Sequence, residues 1–250
     1  MFSFTVNSKK FNINLDNKVE SIMLFGSCAR GDNDEFSDLD LLFIIEDCDD
    51  DSYIQIKRKL HEQLNIPEEW ISLYKKSSIE NMNKYTSYFL WHLKLEGRIV
   101  YSKSNFIRDI LENLKEYKKT SYDLYQYKVI CNDIEQAISE ECETCKYELN
   151  ILASLARNTC MALCYINGKK VFGRSESVEN AIDILKGNCP FNIEEYKELY
   201  KFRSDYKNKT IEMELKSNIK EYTQQWCGKV KKLINLVWDK LLDKESEHEK

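Results

Sequence analysis

The spacing of apolar and polar residues divides this chain into two regimes. Residues 1–14, MFSFTVNSKKFNIN, alternate on both sides of Asn7-Ser8-Lys9 and predict a β-hairpin or edge strand. Residues 19–25 and 39–45 are apolar runs that predict two strands, separated by a glycine turn at Gly26-Ser27 and a short polar segment. Over 52–64 the apolar residues Ile54, Ile56, Leu60 and Leu64 predict a helix that Pro67 ends. Residues 70–74, WISLY, read as a short strand beside the first two. One helix is expected over 78–96, with Tyr88, Phe89, Trp91 and Leu95 on overlapping apolar positions and Gly97 as its cap. RIVYS, 98–102, is expected to be the last strand.

After Ser104 the helical period takes over. Ser104 is a plausible N-cap for NFIRDILENLKEYKK, and further helices are expected at 121–140, 143–167, 176–186, 192–207 and 213–243. Leu149, Leu152, Leu155, Thr159, Leu163 and Ile166 form one stripe that Gly168 ends. Tyr222, Trp226, Val230, Leu233, Val237 and Leu241 form a second. Both read as bundle core, and the tail KESEHEK as a charged fray. The expected fold class is α+β: a small mixed-sheet domain over 1–103, then an all-α helical bundle over 104–250.

Composition narrows the function classes. With 42% hydrophobic and 32% charged residues, the chain is globular; 7 glycines and 2 prolines in 250 residues suit a largely helical protein. A net charge of −5 weighs against a general nucleic-acid binder. The N-terminus lacks a charged-then-apolar signal pattern and no apolar run of membrane-span length stands out, so a soluble cytoplasmic protein with no membrane partner is expected. The cysteine count of nine is odd, which favours reduced thiols. Cys142 and Cys145 form a CxxC with no second pair or histidine cluster to complete a zinc site, while Cys160 and Cys164 read as core. The acidic run 46–51, EDCDDD, reads as a solvated turn and helix start.

The chemistry concentrates between the first two strands. Asp38 and Asp40 are two apart in a strand, so they project from one face. Carboxylates held side by side repel unless a cation lies between them, and hard oxygen donors suit Mg²⁺. The backbone N–H groups and hydroxyl of the Gly26-Ser27 turn can hold a phosphate.

GSCARGDNDEFSDLDLL resembles the signature of the polymerase-beta-type nucleotidyltransferase superfamily: Gly-Ser, a spacer with Ala-Arg-Gly, then Asp-x-Asp in an apolar strand. The run LFGSCARG…SDLDLL is most similar to the minimal and antibiotic nucleotidyltransferases, and the likeness extends through EGRIVY to about residue 103. The resemblance implies transfer of a nucleoside monophosphate, AMP from ATP, to a hydroxyl on an aminoglycoside-like molecule or a macromolecule. The alternative is a nucleotide-binding regulatory or antitoxin-like module with little turnover. It implies two Mg²⁺ ions on Asp38 and Asp40, which are also the catalytic residues, and nucleotide contacts from Gly26, Ser27, Arg30 and Ser37. For Arg30 a salt bridge with Asp32 or Asp34 is an equal alternative. Partners implied are a nucleoside triphosphate and a hydroxyl acceptor, with a homodimer as an option.

Members of this superfamily carry a third carboxylate on the strand after the first long helix. Here Ser72 stands at that place, with Glu68 and Glu69 just upstream. A serine is no base at neutral pH. His92 reads as an ordinary helix residue.

ELNILASLARNTCMALCYINGKKVFGR, 148–174, resembles the helical domains that accompany nucleotidyltransferase domains, including HEPN domains. Arg157-Asn158 matches the first half of the HEPN nuclease motif, but Ala162, Leu163 and Cys164 occupy the places of its histidine, so RNA cleavage by that route is not expected. Arg157 within an apolar helix calls for an acidic partner or a phosphate. Lys169, Lys170 and Arg174 flank a glycine-punctuated loop over 168–174 and are candidates to meet the triphosphate, Lys169 and Arg174 above all; for Lys169 and Lys170 a plain solvated loop is the alternative reading.

Overall fold

A computed structural model describes residues 1–6, 8–31, 39–140, 145–208 and 218–248. The chain divides into two compact units, Met1–Lys118 and Lys119–Lys250.

In the first unit, β1 (Phe2–Val6) and β2 (Lys9–Ile13) pair antiparallel as the expected hairpin. Four further strands, β3 (Val19–Phe25), β4 (Asp40–Ile45), β5 (Ile71–Lys75) and β6 (Arg98–Ser102), form one sheet in the order β5-β4-β3-β6. β3 runs antiparallel to both β4 and β6, and β4 is parallel to β5. The parallel pair needs a crossover, which α2 (Asp50–Leu64) provides.

Both faces of this sheet are covered, which explains why β3 and β4 are almost wholly apolar. On one face Ile22, Leu24, Leu41, Phe43, Ile71 and Leu73 pack with Ile56, Leu60 and Leu64 of α2 and with the hairpin. Ile54, an expected core position of α2, is instead 62% exposed, since the helix turns its other stripe inward. On the opposite face Met23, Phe25, Leu42 and Ile44 pack under α3 (Lys76–Lys84), α4 (Tyr88–Glu96) and α5 (Phe106–Glu112).

The single helix expected over 78–96 is two helices. Thr86 takes φ 54°, a left-handed conformation that a helix cannot pass through. Ser87 then caps the new helix, its side chain accepting a hydrogen bond from the Phe89 N–H at 3.2 Å. The change expected at 103/104 falls instead between Lys118 and Lys119, because Ile107 and Leu111 of α5 bury against β3 and β4.

The second unit is helical: α6 (Thr120–Glu140), α7 (Cys145–Ile166), α8 (Arg174–Leu185), α9 (Ile193–Asn208) and α10 (Ile219–His248). Its centre is α7, which packs against α6, α8, α9 and α10. Leu149, Leu152, Leu155, Thr159 and Leu163 are buried as the stripe requires, as are Trp226, Val230, Leu233 and Val237 of α10. With 22 residues α7 is long and apolar enough to cross a membrane by length and composition, contrary to the expectation that no such run exists. Its burial among four other helices identifies it as the core helix of this unit. The expected fray is largely helix, since α10 continues to His248. Cys142 of the CxxC lies outside the described residues, and Cys145 is buried at the start of α7.

The break at Thr86-Ser87 has a testable sign. If Ser87 caps α4, Ser87→Ala should destabilise the protein by about 1 kcal/mol in urea unfolding. In an uninterrupted helix the same change would be neutral or stabilising, because alanine is the better helix former.

Candidate functional site

The site is built where β3 ends. Phe25 is still extended (φ −141°), and Gly26 then takes φ 68°, which turns the chain out of the sheet at little cost only because it is glycine. Five residues, Gly26–Arg30, form α1, and the Gly31 N–H closes it on the Ser27 carbonyl at 2.9 Å. The antiparallel register pairs Phe25 with Asp40. The first residue of β4 therefore lies beside the residue that follows β3. A Cβ on Gly26 would lie 2.1 Å from Asp40 Oδ2, so the carboxylate rests directly against the glycine backbone. Gly26 is buried, and Ser27 and Asp40 are half-buried. Ser37 and Asp38, with Asp32 and Asp34, lie outside the described residues.

Asp40 shares its sheet face with Leu42, and the parallel register sets Leu42 against Ser72. Ser72 thus occupies the strand position expected for a third carboxylate. Neither upstream acid replaces it. Glu68 lies in a 3-10 turn before β5 and pairs with Lys57 at 2.6 Å, and Glu69 of the same turn is exposed.

Arg30, the last residue of α1, meets Glu96 on α4: Nη1 lies 2.5 Å from Oε2. Its described ion-pair partner is thus Glu96, while the expected alternatives Asp32 and Asp34 are not described. His92 Nε2 donates to the same Glu96 oxygen at 2.9 Å, and the His92 ring stands edge-on to Phe25 at 5.6 Å. Burial would push the Glu96 carboxyl up, but hydrogen bonds from His92 and Arg30 outweigh it and hold the group below its ordinary value. Reading His92 as an ordinary helix residue missed its link to Glu96, although the i,i+4 spacing is a signal that could have found it. The Arg30–Glu96 link, 66 residues apart, carries no such signal.

The acidic run is accounted for by local structure. Asp49 caps α2, accepting from the Ser52 N–H at 2.8 Å. Asp50 pairs with Lys75 at 3.2 Å, Glu46 with Lys76 at 3.5 Å, and Asp47 accepts from Ser77.

Residues 9–106 match the family model "Polymerase beta, Nucleotidyltransferase". The first unit carries a polymerase beta-type nucleotidyltransferase domain. The match spans β2 through Phe106, so it includes the Gly26 turn, Asp40 and Glu96. No curated protein matches the chain. Among solved structures the chain is similar to spectinomycin adenyltransferase AAD(9) from Enterococcus faecialis with ATP and spectinomycin. That likeness has 14% identity and a TM-score of 0.46, covering 86% of this chain and 92% of that one. A toxin-antitoxin structure with AMP-PNP shares 18% identity at a TM-score of 0.29, over 48% of this chain and 89% of that one.

Apart from the nucleotidyltransferase domain, the helical unit holds a cationic cluster of its own. Arg157 is half-buried on α7; its Nη2 donates to the Phe172 carbonyl at 2.5 Å, and its enclosed Nε has no hydrogen-bond partner among the described residues. Burial pushes its pKa down, and the nearby Arg203 and Arg174 add to that. The Arg174 guanidinium stacks 4.0 Å from the Tyr200 ring centre, and Arg203 bonds the Ser154 hydroxyl. Tyr196 is buried, and its hydroxyl has no hydrogen-bond partner among the described residues. The expected acidic partner for Arg157 is not found among the described residues. Lys169 does not join this cluster by any described contact; its Nζ binds Asn180 Oδ1 at 2.8 Å, and Lys170 lies over the Tyr165 ring at 5.6 Å.

The Glu96 carboxyl gives this domain a signature in acid. Its pKa is lower folded than its ordinary 4.5, so it contributes stability that is present above 4.5 and lost as pH falls through the folded value. Wild-type unfolding free energy should therefore drop more steeply than that of Glu96→Gln as pH is lowered from about 5 to about 3. Parallel urea titrations of the two proteins check this.

Proposed function

We propose that this chain transfers AMP from ATP to a hydroxyl group, releasing pyrophosphate. The observation that carries the reading is the Asp40 carboxylate lying against Gly26 at the end of β3, within a nucleotidyltransferase domain. Backbone N–H groups at Gly26 and Ser27, with the Ser27 hydroxyl, take the β and γ phosphates. Ser37 and Asp38 follow in sequence toward the same strand start.

The residues present fit Mg²⁺. Among the described residues no three His, Cys, Asp or Glu side chains gather at one point. Mg²⁺ needs only one or two protein carboxylates, the rest of its shell being phosphate oxygen and water, and Asp40 offers a hard oxygen beside bare backbone. Asp38 and Asp40 would hold the metal, which when bound offsets charge on the reacting phosphates. The chain's own groups bind and orient the triphosphate around it.

In the helical unit, Arg157, whose Nε has no partner among the described residues, Arg174 and Arg203 suit phosphate oxygens better than the exposed Lys169 does. With a net charge of −5, a cationic, aminoglycoside-like acceptor is preferred to an RNA end. The cytoplasm, where ATP and Mg²⁺ are plentiful, is the proposed location. A second reading, nucleotide binding with little turnover, is favoured by one feature: Ser72, not an acid, stands on β5 in register with Leu42.

Labelled ATP and Mg²⁺ with a panel of aminoglycoside and macromolecular acceptors separate the two. Under the first reading wild-type protein releases pyrophosphate and labels an acceptor, and Asp40→Asn lowers the rate by about a hundredfold or more with circular dichroism unchanged. Tight ATP binding without pyrophosphate selects the second reading, and absence of ATP binding overturns both.

A further inference from the structure

We propose that Glu96 is a positioning residue for the Gly26-Ser27 turn, acting through Arg30. The proposal rests on the reading of that turn as the nucleotide-phosphate site.

The argument begins with the length of α1. A helix of five residues, Gly26–Arg30, has too few internal hydrogen bonds to hold its own axis, because nucleation costs more than one turn returns. Its orientation must come from outside. Its first residue is fixed by β3 and by the Asp40 carboxylate over Gly26. Its last residue, Arg30, is tied to α4 by the Glu96 pair at 2.5 Å. Both partners are shielded, with side chains 22% and 12% exposed, so water screens the pair less than a surface one.

Glu96 is itself held. His92, one turn earlier on α4, donates to the same oxygen, and its ring stands against Phe25, the residue before Gly26. The Phe89 ring packs edge-on to Phe25 at 5.6 Å as well. A closed loop of contacts thus runs from Phe25 through His92, Glu96 and Arg30 back to the turn. A Cβ at Gly97 would meet the Leu93 carbonyl of α4 at 2.3 Å and the Met23 Cε of β3 at 2.8 Å, so the residue after Glu96 folds tightly onto the last turn of α4 with the Met23 side chain beside it. In this arrangement Arg30 aims α1, and Glu96 neutralises its charge.

The test compares Glu96→Gln, Arg30→Gln and the double variant with wild type, using Lys57→Gln, which breaks the surface Lys57–Glu68 pair, as control. The first readout is amide hydrogen exchange over 22–31 in the nucleotide-free protein; the second is MgATP affinity by calorimetry. Each single variant should speed exchange over 22–31 and weaken MgATP by about tenfold, with the double variant no worse than either single. The control should change neither. Exchange over 22–31 unchanged in Glu96→Gln overturns the proposal. So does weakening of MgATP by Arg30→Gln but not by Glu96→Gln, since Arg30 would then touch the nucleotide itself. If exchange responds as expected but wild-type protein binds no MgATP, the positioning role stands and the nucleotide reading of the turn falls. Should Glu96→Gln not fold, Arg30→Gln at the end of the short helix decides by the exchange readout alone.

Discussion

The antiparallel register that places Asp40 opposite Phe25 is the constraint on which the rest of the site depends. A slip of one residue would carry every β4 side chain to the other face of the sheet and bury Asp40 against α2. The buried runs of β3 and β4 prevent that slip, since each face already has its own set of apolar partners. The core is therefore what brings an acid to a glycine turn. Positive φ at Gly26 and the absence of a Cβ are both required there, because one turns the chain and the other makes room for the carboxylate.

The layer that covers the Asp40 face is also specific. It consists of three short helices, of which α3 and α4 have nine residues each and α5 seven. Splitting the cover at Thr86-Ser87 lets α4 adopt its own direction over the end of β3, with His92 and Glu96 facing Phe25 and Arg30. Polar pairs in this layer are shielded and mutually supported, unlike the Lys–Glu pairs on the rim, which contribute little. The helical unit follows a different rule. One apolar helix, α7, organises four others, and the cation it carries, Arg157, is met by the Phe172 carbonyl, with no carboxylate partner among the described residues.

Much of this was legible in the chain because the strands are buried on both faces. Val19–Phe25 and Arg98–Ser102 coincide with their apolar runs, and β5 falls within one residue of its own. The Gly-Ser turn and the acidic strand start were legible as a motif. What escaped were features set by tertiary context. Thr86 takes the left-handed region just before the Ser87 cap, and Tyr88–Glu96 reads the same either way. The residues of α5 look like the first helix of a bundle, and only packing against Met23 and Leu42 assigns them to the sheet. Arg30 finds Glu96 across a chain separation that no local pattern spans. Asp38 and Ser37 lie outside the described residues, so their part of the motif rests on sequence.

The central claim is that the turn after β3 and the start of β4 form one metal-nucleotide site. Paramagnetic relaxation tests it most directly. Mn²⁺, substituted for Mg²⁺ and added with ATP to isotopically labelled protein, should broaden the amide resonances of Gly26, Ser27 and Asp40 at substoichiometric metal, before those of the acidic loop at 46–51. Broadening centred on that loop, or none at Gly26 and Asp40 with ATP present, would contradict it.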